Sequence, residues 1–208
     1  MCPLSGELVD LGEGAVVEAG VTLGRRPDRS IPVTPLEVGS GCFIRSGTVI
    51  YAGTTIGRGF ETGHNVVIRE ENSIGDDVEI WSNSFVDYGC RIGARVKIHC
   101  SCYIAQFTEI EDGVFVGPGV IVTNDRHPGC PNFRECMKGP TLRAGSVIGG
   151  GTTLLPGIVV GEKSLVGAGS VVTRDVEAGI VVAGNPARHI CTIDELECRS
   201  GLTDRPYS

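Results

Sequence analysis

A period of six residues constrains this chain more than any other feature. Stepping by six from Val38, the sequence reads Ile44, Ile50, Ile56, Thr62, Ile68, Ile74, Ile80, Val86, Ile92, Ile98, Ile104, Ile110, Val116 and Val122. The phase then breaks and resumes as Leu142, Ile148, Leu154, Val160, Val166 and Val172, and an earlier fragment, Leu11, Val17 and Leu23, has the same step. Six residues fit neither the 3.6-residue helix nor a meander of hairpins, but they do fit short strands joined by sharp corners. Two positions before each step stand small or β-branched residues such as Cys42, Thr48, Thr54, Val66, Ser84, Cys90 and Cys102. Residues two apart share one face of a strand, so both positions are expected to point inward. The cysteines among them read as small core filler.

A second period appears at eighteen, where glycine follows the aliphatic residue at Gly39, Gly57, Gly75 and Gly93. Three hexads therefore make one coil with three flat faces. Stacked at the ordinary strand spacing of about 4.8 Å, some eight coils build a prism on the order of 40 Å long. Each coil covers its neighbour, so the ends need caps. The expected fold class is all-β, a parallel β-helix of about eight three-sided coils. The 31 glycines and the 5% aromatic content suit tight corners around a core of small aliphatic side chains.

Charge and cysteine usage narrow the partners. A net charge of −7 without basic runs argues against nucleic acid, whose non-specific binding rests on Lys and Arg at phosphates. No apolar run reaches the roughly 18 residues of a membrane helix, and Met1-Cys2-Pro3-Leu4-Ser5-Gly6-Glu7 carries no signal-peptide pattern, so a cytoplasmic protein away from membranes is expected. Nine cysteines without a Cys-x-x-Cys pair suggest free thiols rather than a disulfide framework or a zinc ribbon.

Two segments interrupt the repeat. Residues 24–37 contain Arg25, Arg26, Arg29 and three prolines, and residues 123–141 leave the prism at a corner. An unstructured excursion as long as the second is often functional. Residues 1–187 are read as one β-helix domain with 123–141 inserted, and 188–208 as a C-terminal cap and tail. Within the latter, Thr192-Ile193-Asp194-Glu195 is a capping-box pattern expected to open a short helix over roughly 192–199.

The repeated [Ile/Val/Leu]-Gly-x-x-x-x pattern over residues 11–187, closed by Ala183-Gly184-Asn185-Pro186-Ala187-Arg188, resembles the hexapeptide-repeat acyltransferases. That resemblance implies a left-handed β-helix, whereas simple crossover rules favour the right hand. It further implies acetyl-CoA as the donor, a small-molecule acceptor, no metal, and a homotrimer in which the long loop reaches toward a neighbouring subunit's active site. The stretch Ile98-His99-Cys100-Ser101-Cys102-Tyr103-Ile104-Ala105-Gln106, with Thr123-Asn124-Asp125 and Thr62-Gly63-His64-Asn65, is similar to a subgroup that acetylates amino groups on nucleotide-linked sugars. Some of those enzymes meet the amine with a carboxamide where this chain carries His99 or its neighbours.

Counting in eighteens places the chemistry. Gly63, Trp81, His99 and Gly117 fall on one edge, which continues through Gly149 and Gly167 if the loop returns to the next face. Successive coils then present Gly117-Pro118-Gly119, Gly149-Gly150-Gly151 and Gly167-Ala168-Gly169, a corner nearly free of side chains. A thin ligand such as pantetheine could lie there against backbone amides. Gly149, Gly150, Gly167 and Ala168 are therefore candidate CoA contacts, with Lys163 and Arg188 for its phosphates. His99 is the first candidate for general base and His127 the second, since imidazole exchanges protons near neutral pH. Transfer to an amine that arrives neutral, with the enzyme only aligning it, is the alternative. Asn83, Asp87, Asn124 and Asp125 are candidate acceptor contacts.

Two other functions share such a fold. A gamma-class carbonic anhydrase holds its metal through three histidines, two as His-x-x-x-x-His, a pair absent here. His64 and His99 fall two coils apart, roughly 10 Å by strand spacing, too far to share one metal within a chain. The set His127, Cys130 and Cys136 is a further metal candidate. A non-catalytic scaffold is the third class.

Overall fold

The structure, a computed structural model, describes residues 8–198 and 200–207. Met1–Glu7, read above for a leader, lie outside the described residues, as does Arg199 of the expected terminal helix. The strands form three sheets that wrap one axis as a left-handed parallel β-helix. Face 1 has eight strands from Val9–Leu11 to Val159–Val160, face 2 ten from Val16–Val17 to Arg188–Thr192, and face 3 eight from Thr22–Arg25 to Val171–Val172. Corners 1, 2 and 3 follow the faces of the same number. No helix among the described residues is long and apolar enough to cross a membrane.

The inward positions behave as their period requires. Ile44, Ile50, Thr62, Ile68, Ile80, Ile98, Ile104, Val116, Leu142 and Ile148 are fully buried. Fully burying one such aliphatic side chain stabilises the fold by about 1.5–3 kcal/mol. Leu11, in the first described coil, is 40% exposed because among the described residues no coil covers its outer side. The small polar residues two positions earlier satisfy the corners. Thr54 donates to the Arg69 carbonyl (2.7 Å), Ser84 to that of His99 (2.8 Å) and Ser164 to that of Gly161 (2.7 Å). The Cys90 and Cys102 thiols reach the Ala105 and Gly117 carbonyls, each at 3.2 Å. Burial pushes the Cys90 thiol up to about 12, so it stays a protonated donor. The inner cysteines thus fill space and cap carbonyls.

Two backbone rules set the corners. The residue three beyond each inward aliphatic has positive φ at every sixth position from Gly41 to Gly119. Among the described residues eight non-glycine residues hold a positive φ, seven of them in this run, including Asn65, Asn83 and Phe107, and the eighth Lys163. The second rule concerns close approach: a Cβ on Gly75 would lie 2.8 Å from backbone atoms of Gly93 and Ala94, because consecutive corners touch backbone to backbone. The eighteen-residue glycine line follows from that contact.

Register carries through both excursions. Val17 pairs with Ile44 and Val116 with Ile148, steps of 27 and 32 residues where an uninterrupted coil takes 18. The first excursion is fastened at corner 3 by a charged cluster. The fully buried Glu70 carboxylate accepts from Arg69 Nε and NH2 (2.9 Å each) and from Arg29 NH1 (3.2 Å). Arg29 also meets Glu71 at 2.6 Å and lies 3.8 Å from the Tyr88 ring centroid.

The far end departs from expectation. The helix expected over 192–199 is a single 3-10 turn, Ile193–Glu195, which does hold the capping box, Thr192 N–H donating to Glu195 at 2.7 Å. None of its residues is buried, so no packing extends it. An antiparallel pairing of Ile180–Ala183 with Arg188–Thr192 extends face 2 beyond the last coil.

Burial opposes ionisation of Glu70, but Arg69 and then Arg29 outweigh it and hold its carboxyl below the usual range. The ionised carboxylate therefore contributes stability in full above the ordinary value of 4.5, and that contribution is lost as pH falls through the lowered value. Thermal melts from neutrality to about pH 3 should show wild type losing more stability on the acid side than Glu70→Gln, which should start lower at neutral pH.

Candidate functional site

Corner 2 is built as the spacing implies. Strand pairing runs Ile80 to Ile98 to Val116 to Ile148 to Val166, so His99, Gly117, Gly149 and Gly167 share one edge in that order. Gly151 N–H donates to Pro118 O and Gly169 N–H to Gly150 O, both at 2.8 Å, which stacks the three glycine-rich turns. A Cβ on Gly149 would lie 2.4 Å from the Ala168 nitrogen, while Gly151 and Gly169 face open space. The corner is closed between coils and open outward. The edge ends at Ala183, which lies over Gly167 and pairs with Arg188.

His99 stands at the head of this bare corner. Its ring leans on Phe115 (centroids 4.9 Å apart, 52° between planes), and Trp81 occupies the same edge one coil earlier. Among the described residues no hydrogen bond engages the His99 imidazole. Its backbone is fixed by Ser84 and by its own N–H to Val116 O (2.8 Å). Asn83, one coil before Ser101, occupies a left-handed turn position (φ 60°).

The remaining candidates sit at corner 3, across face 3. The Asp87 carboxylate is buried and accepts from Tyr88 N–H (2.9 Å), Tyr103 OH (3.0 Å) and Gln106 Nε2 (2.5 Å). Burial, then the Asp87 charge, push the Tyr103 hydroxyl up to about 12 and keep it a donor. Gln106 Oε1 in turn accepts from Asn124 Nδ2 at 2.7 Å. Asp87 therefore fixes an amide chain that ends on Asn124, where the long loop departs. Lys138 N–H to Asn124 O (2.8 Å) closes the loop's neck, and Asp125 caps His127 N–H at 2.9 Å. Within the loop, helix α1 spans Phe133–Cys136, and His127 is exposed.

One chain thus brings His99, Asn83 and the glycine candidates to corner 2, and Asp87, Asn124, Asp125 and His127 to corner 3. Lys163 stands at corner 1, apart from the glycine edge. His64 Nδ1 contacts Ser46 Oγ at 3.0 Å. Among the described residues no group of three His, Cys, Asp or Glu side chains is placed to hold a metal ion. Sequence reasoning gave no individual role to Tyr103, Gln106 or Arg29 and passed over Phe107. For Phe107 a signal existed, since the left-handed step at corner 3 runs Gly53, Glu71, Gly89, Phe107.

This fold, with its stacked glycine corner, is that of the hexapeptide-repeat β-helix proteins. The models for "Bacterial transferase hexapeptide (six repeats)" and "Hexapeptide repeat of succinyl-transferase" match residues 89–124 and residues 5–25 and 144–174, respectively. Nodulation protein L of Rhizobium meliloti is 36% identical over 143 residues, covering 65% of this chain and 78% of that protein. The chain belongs to the hexapeptide-repeat acyltransferase family. The Saccharomyces cerevisiae protein YJL218W is 33% identical over 118 residues, 51% of this chain, and the matched region spans only 60% of its length. In structure, the polySia-specific acetyltransferase NeuO superposes with a TM-score of 0.51 at 19% identity over 92% of each chain, a likeness of fold.

Gly139 returns the loop to the prism so closely that a Cβ there would lie 2.5–2.6 Å from backbone atoms of Phe107 and Thr108. Gly139→Ala should cost about 1–3 kcal/mol. The loss should be read in a denaturant titration, with faster proteolytic nicking of residues 123–141; unchanged stability and nicking would contradict this packing.

Proposed function

We propose that this chain transfers an acetyl group from acetyl-CoA to an amine or hydroxyl of a small polar acceptor, and that the acceptor is a nucleotide-linked amino sugar. The observation that carries the reading is the bare glycine corner running in register away from His99. An edge without side chains, open outward at Gly151 and Gly169, fits the thin pantetheine arm. Gly149, Gly150, Gly167 and Ala168 would line it, and Arg188 at its far end would meet phosphate. Lys163, at another corner, would serve only through a second copy of the chain.

Acetyl-CoA supplies an activated thioester carbonyl. His99 takes the proton from the acceptor's nucleophile as it attacks, and returns it to the departing thiol. Backbone N–H groups of the corner stabilise the developing oxyanion. Asn124 and Asp125 bind the acceptor, with Asp87 acting through Gln106 to hold Asn124. Because corners 2 and 3 lie apart in one chain, the reading includes a homotrimer in which the loop of one copy covers the glycine corner of the next. The outward row Val49, Val67, Phe85, Tyr103 and Ile121 on face 3 supports such an apolar contact. A cytoplasmic setting is part of the reading, supported by eight free cysteines among the described residues.

Acetyl-CoA at a hundred times its dissociation constant should stabilise the protein by about 2.7 kcal/mol, seen as a raised melting temperature. His99→Ala should keep that shift while kcat falls about 10²–10⁴-fold. An equal fall in His127→Ala alone would move the base to the loop, and absence of any acetyl-CoA shift would sink acyl transfer. Sedimentation should give three times the mass of one chain.

A further inference from the structure

We infer that the groove between the two excursions at corner 3 is a stacking site for the base of a nucleoside diphosphate. The inference rests on the acyl-transfer reading above and assigns the carrier half of its acceptor a place. The groove has a volume of about 460 Å³, and its lining includes Arg29 and Tyr88 on one side and Phe107, Asn124, Phe133 and Arg134.

Phe107 is the residue that points to a ligand. Its backbone is left-handed (φ 61°) at a step where corner 3 uses Gly53, Glu71 and Gly89 in the earlier coils, none of them aromatic. A bulky side chain in that conformation is strained, and strain of this kind clusters at functional sites. Burial does not compensate for it, because the residue is 42% exposed. The ring is nevertheless held firmly. Tyr88 meets it edge-on (5.5 Å, 86°), Arg29 stacks on Tyr88 at 3.8 Å, and the loop's return at Gly139 packs on the Phe107 carbonyl. The result is a rigid aromatic shelf facing open space.

The loop supplies the other wall. Phe133 is 37% exposed, and the Arg134 guanidinium lies 5.6 Å from its ring centroid. Two exposed rings suit a planar heterocycle, and a guanidinium at their edge suits phosphate. Asn124 is oriented for reading a base edge. Its Nδ2 is committed to Gln106, which leaves its carbonyl oxygen to accept from a donor on the base.

Binding of UDP, GDP and inorganic pyrophosphate to the full chain should be measured by calorimetry, with acetyl-CoA titrated separately. UDP or GDP should bind wild type, with acetyl-CoA still binding in its presence and pyrophosphate alone binding much more weakly. Phe107→Gly should weaken nucleotide binding about 5- to 150-fold while the melting temperature holds or rises and acetyl-CoA binding is unchanged. Phe107→Asn, which also tolerates the left-handed turn, and Phe133→Ala should behave alike. A wild-type chain that binds acetyl-CoA but neither nucleotide overturns the groove and leaves acyl transfer standing. Nucleotide binding without acetyl-CoA binding does the reverse. Equal nucleotide affinity in Phe107→Gly, pyrophosphate binding as tight as UDP, or a lowered melting temperature with loss of both ligands would make the ring structural and overturn the inference.

Discussion

Everything in this molecule depends on one coil lying on the next at strand spacing, at its corners as well as along its faces. A flat sheet needs only paired backbones. A prism also needs its turns to stack, and there adjacent main chains come so close that a Cβ on Gly149 would sit 2.4 Å from the next coil. That contact selects glycine just after the strand, while the turn's own geometry selects glycine, Asn or Asp two residues on. The aliphatic ladders follow, because a coil of eighteen residues leaves room inside for one branched side chain per face and one small residue beside it. The small residue then carries a hydroxyl or thiol because the corner carbonyls need donors.

The same constraint decides what could be read from the sequence. Period, faces, inward residues and the alignment of His99 with Gly117 follow from counting, since the stacking is periodic, and Gly149 and Gly167 join that edge because the second excursion returns to the next face. Counting fails for contacts that are not periodic. Nothing in the spacing says that Arg29 crosses to Glu70, or that Gln106 joins Asp87 to Asn124, since these pairs depend on side-chain reach at one corner. Asp87, a candidate acceptor contact, already accepts from Tyr88, Tyr103 and Gln106, a set of partners that counting does not show. Lys163, a candidate for phosphate, stands at corner 1, a different corner from the glycine edge of the same chain. The terminal segment kept its capping box and a helix of one 3-10 turn only, because a cap lowers the cost of starting a helix and cannot replace an apolar face.

The candidate chemistry is divided between a corner that is bare and a corner that is crowded. Corner 2 offers backbone amides and one imidazole with no hydrogen-bond partner among the described residues. Corner 3 offers aromatics, carboxamides and a buried ion cluster, and both excursions are fastened there. Such a division suits a ligand pair of unlike shape: a long, flexible donor that needs an unobstructed track, and a compact polar acceptor that needs specific contacts. Under the proposed trimer the two halves would meet only between copies, which would make assembly a condition of turnover.

The register steps have a consequence for how such a chain changes over generations. Pairing advances by 27 residues across the first excursion and by 32 across the second, against 18 elsewhere, so the two insertions carry about nine and fourteen surplus residues. Neither surplus is a multiple of six, yet the inward ladder resumes unbroken on the far side of each. The scaffold therefore counts only the residues inside it. A corner can gain, lose or exchange an excursion of any length without a single core side chain changing its neighbours, provided the two ends of the excursion meet at the same corner. The excursions can then drift while the glycine corner is inherited intact, and the two are free to diverge at different speeds.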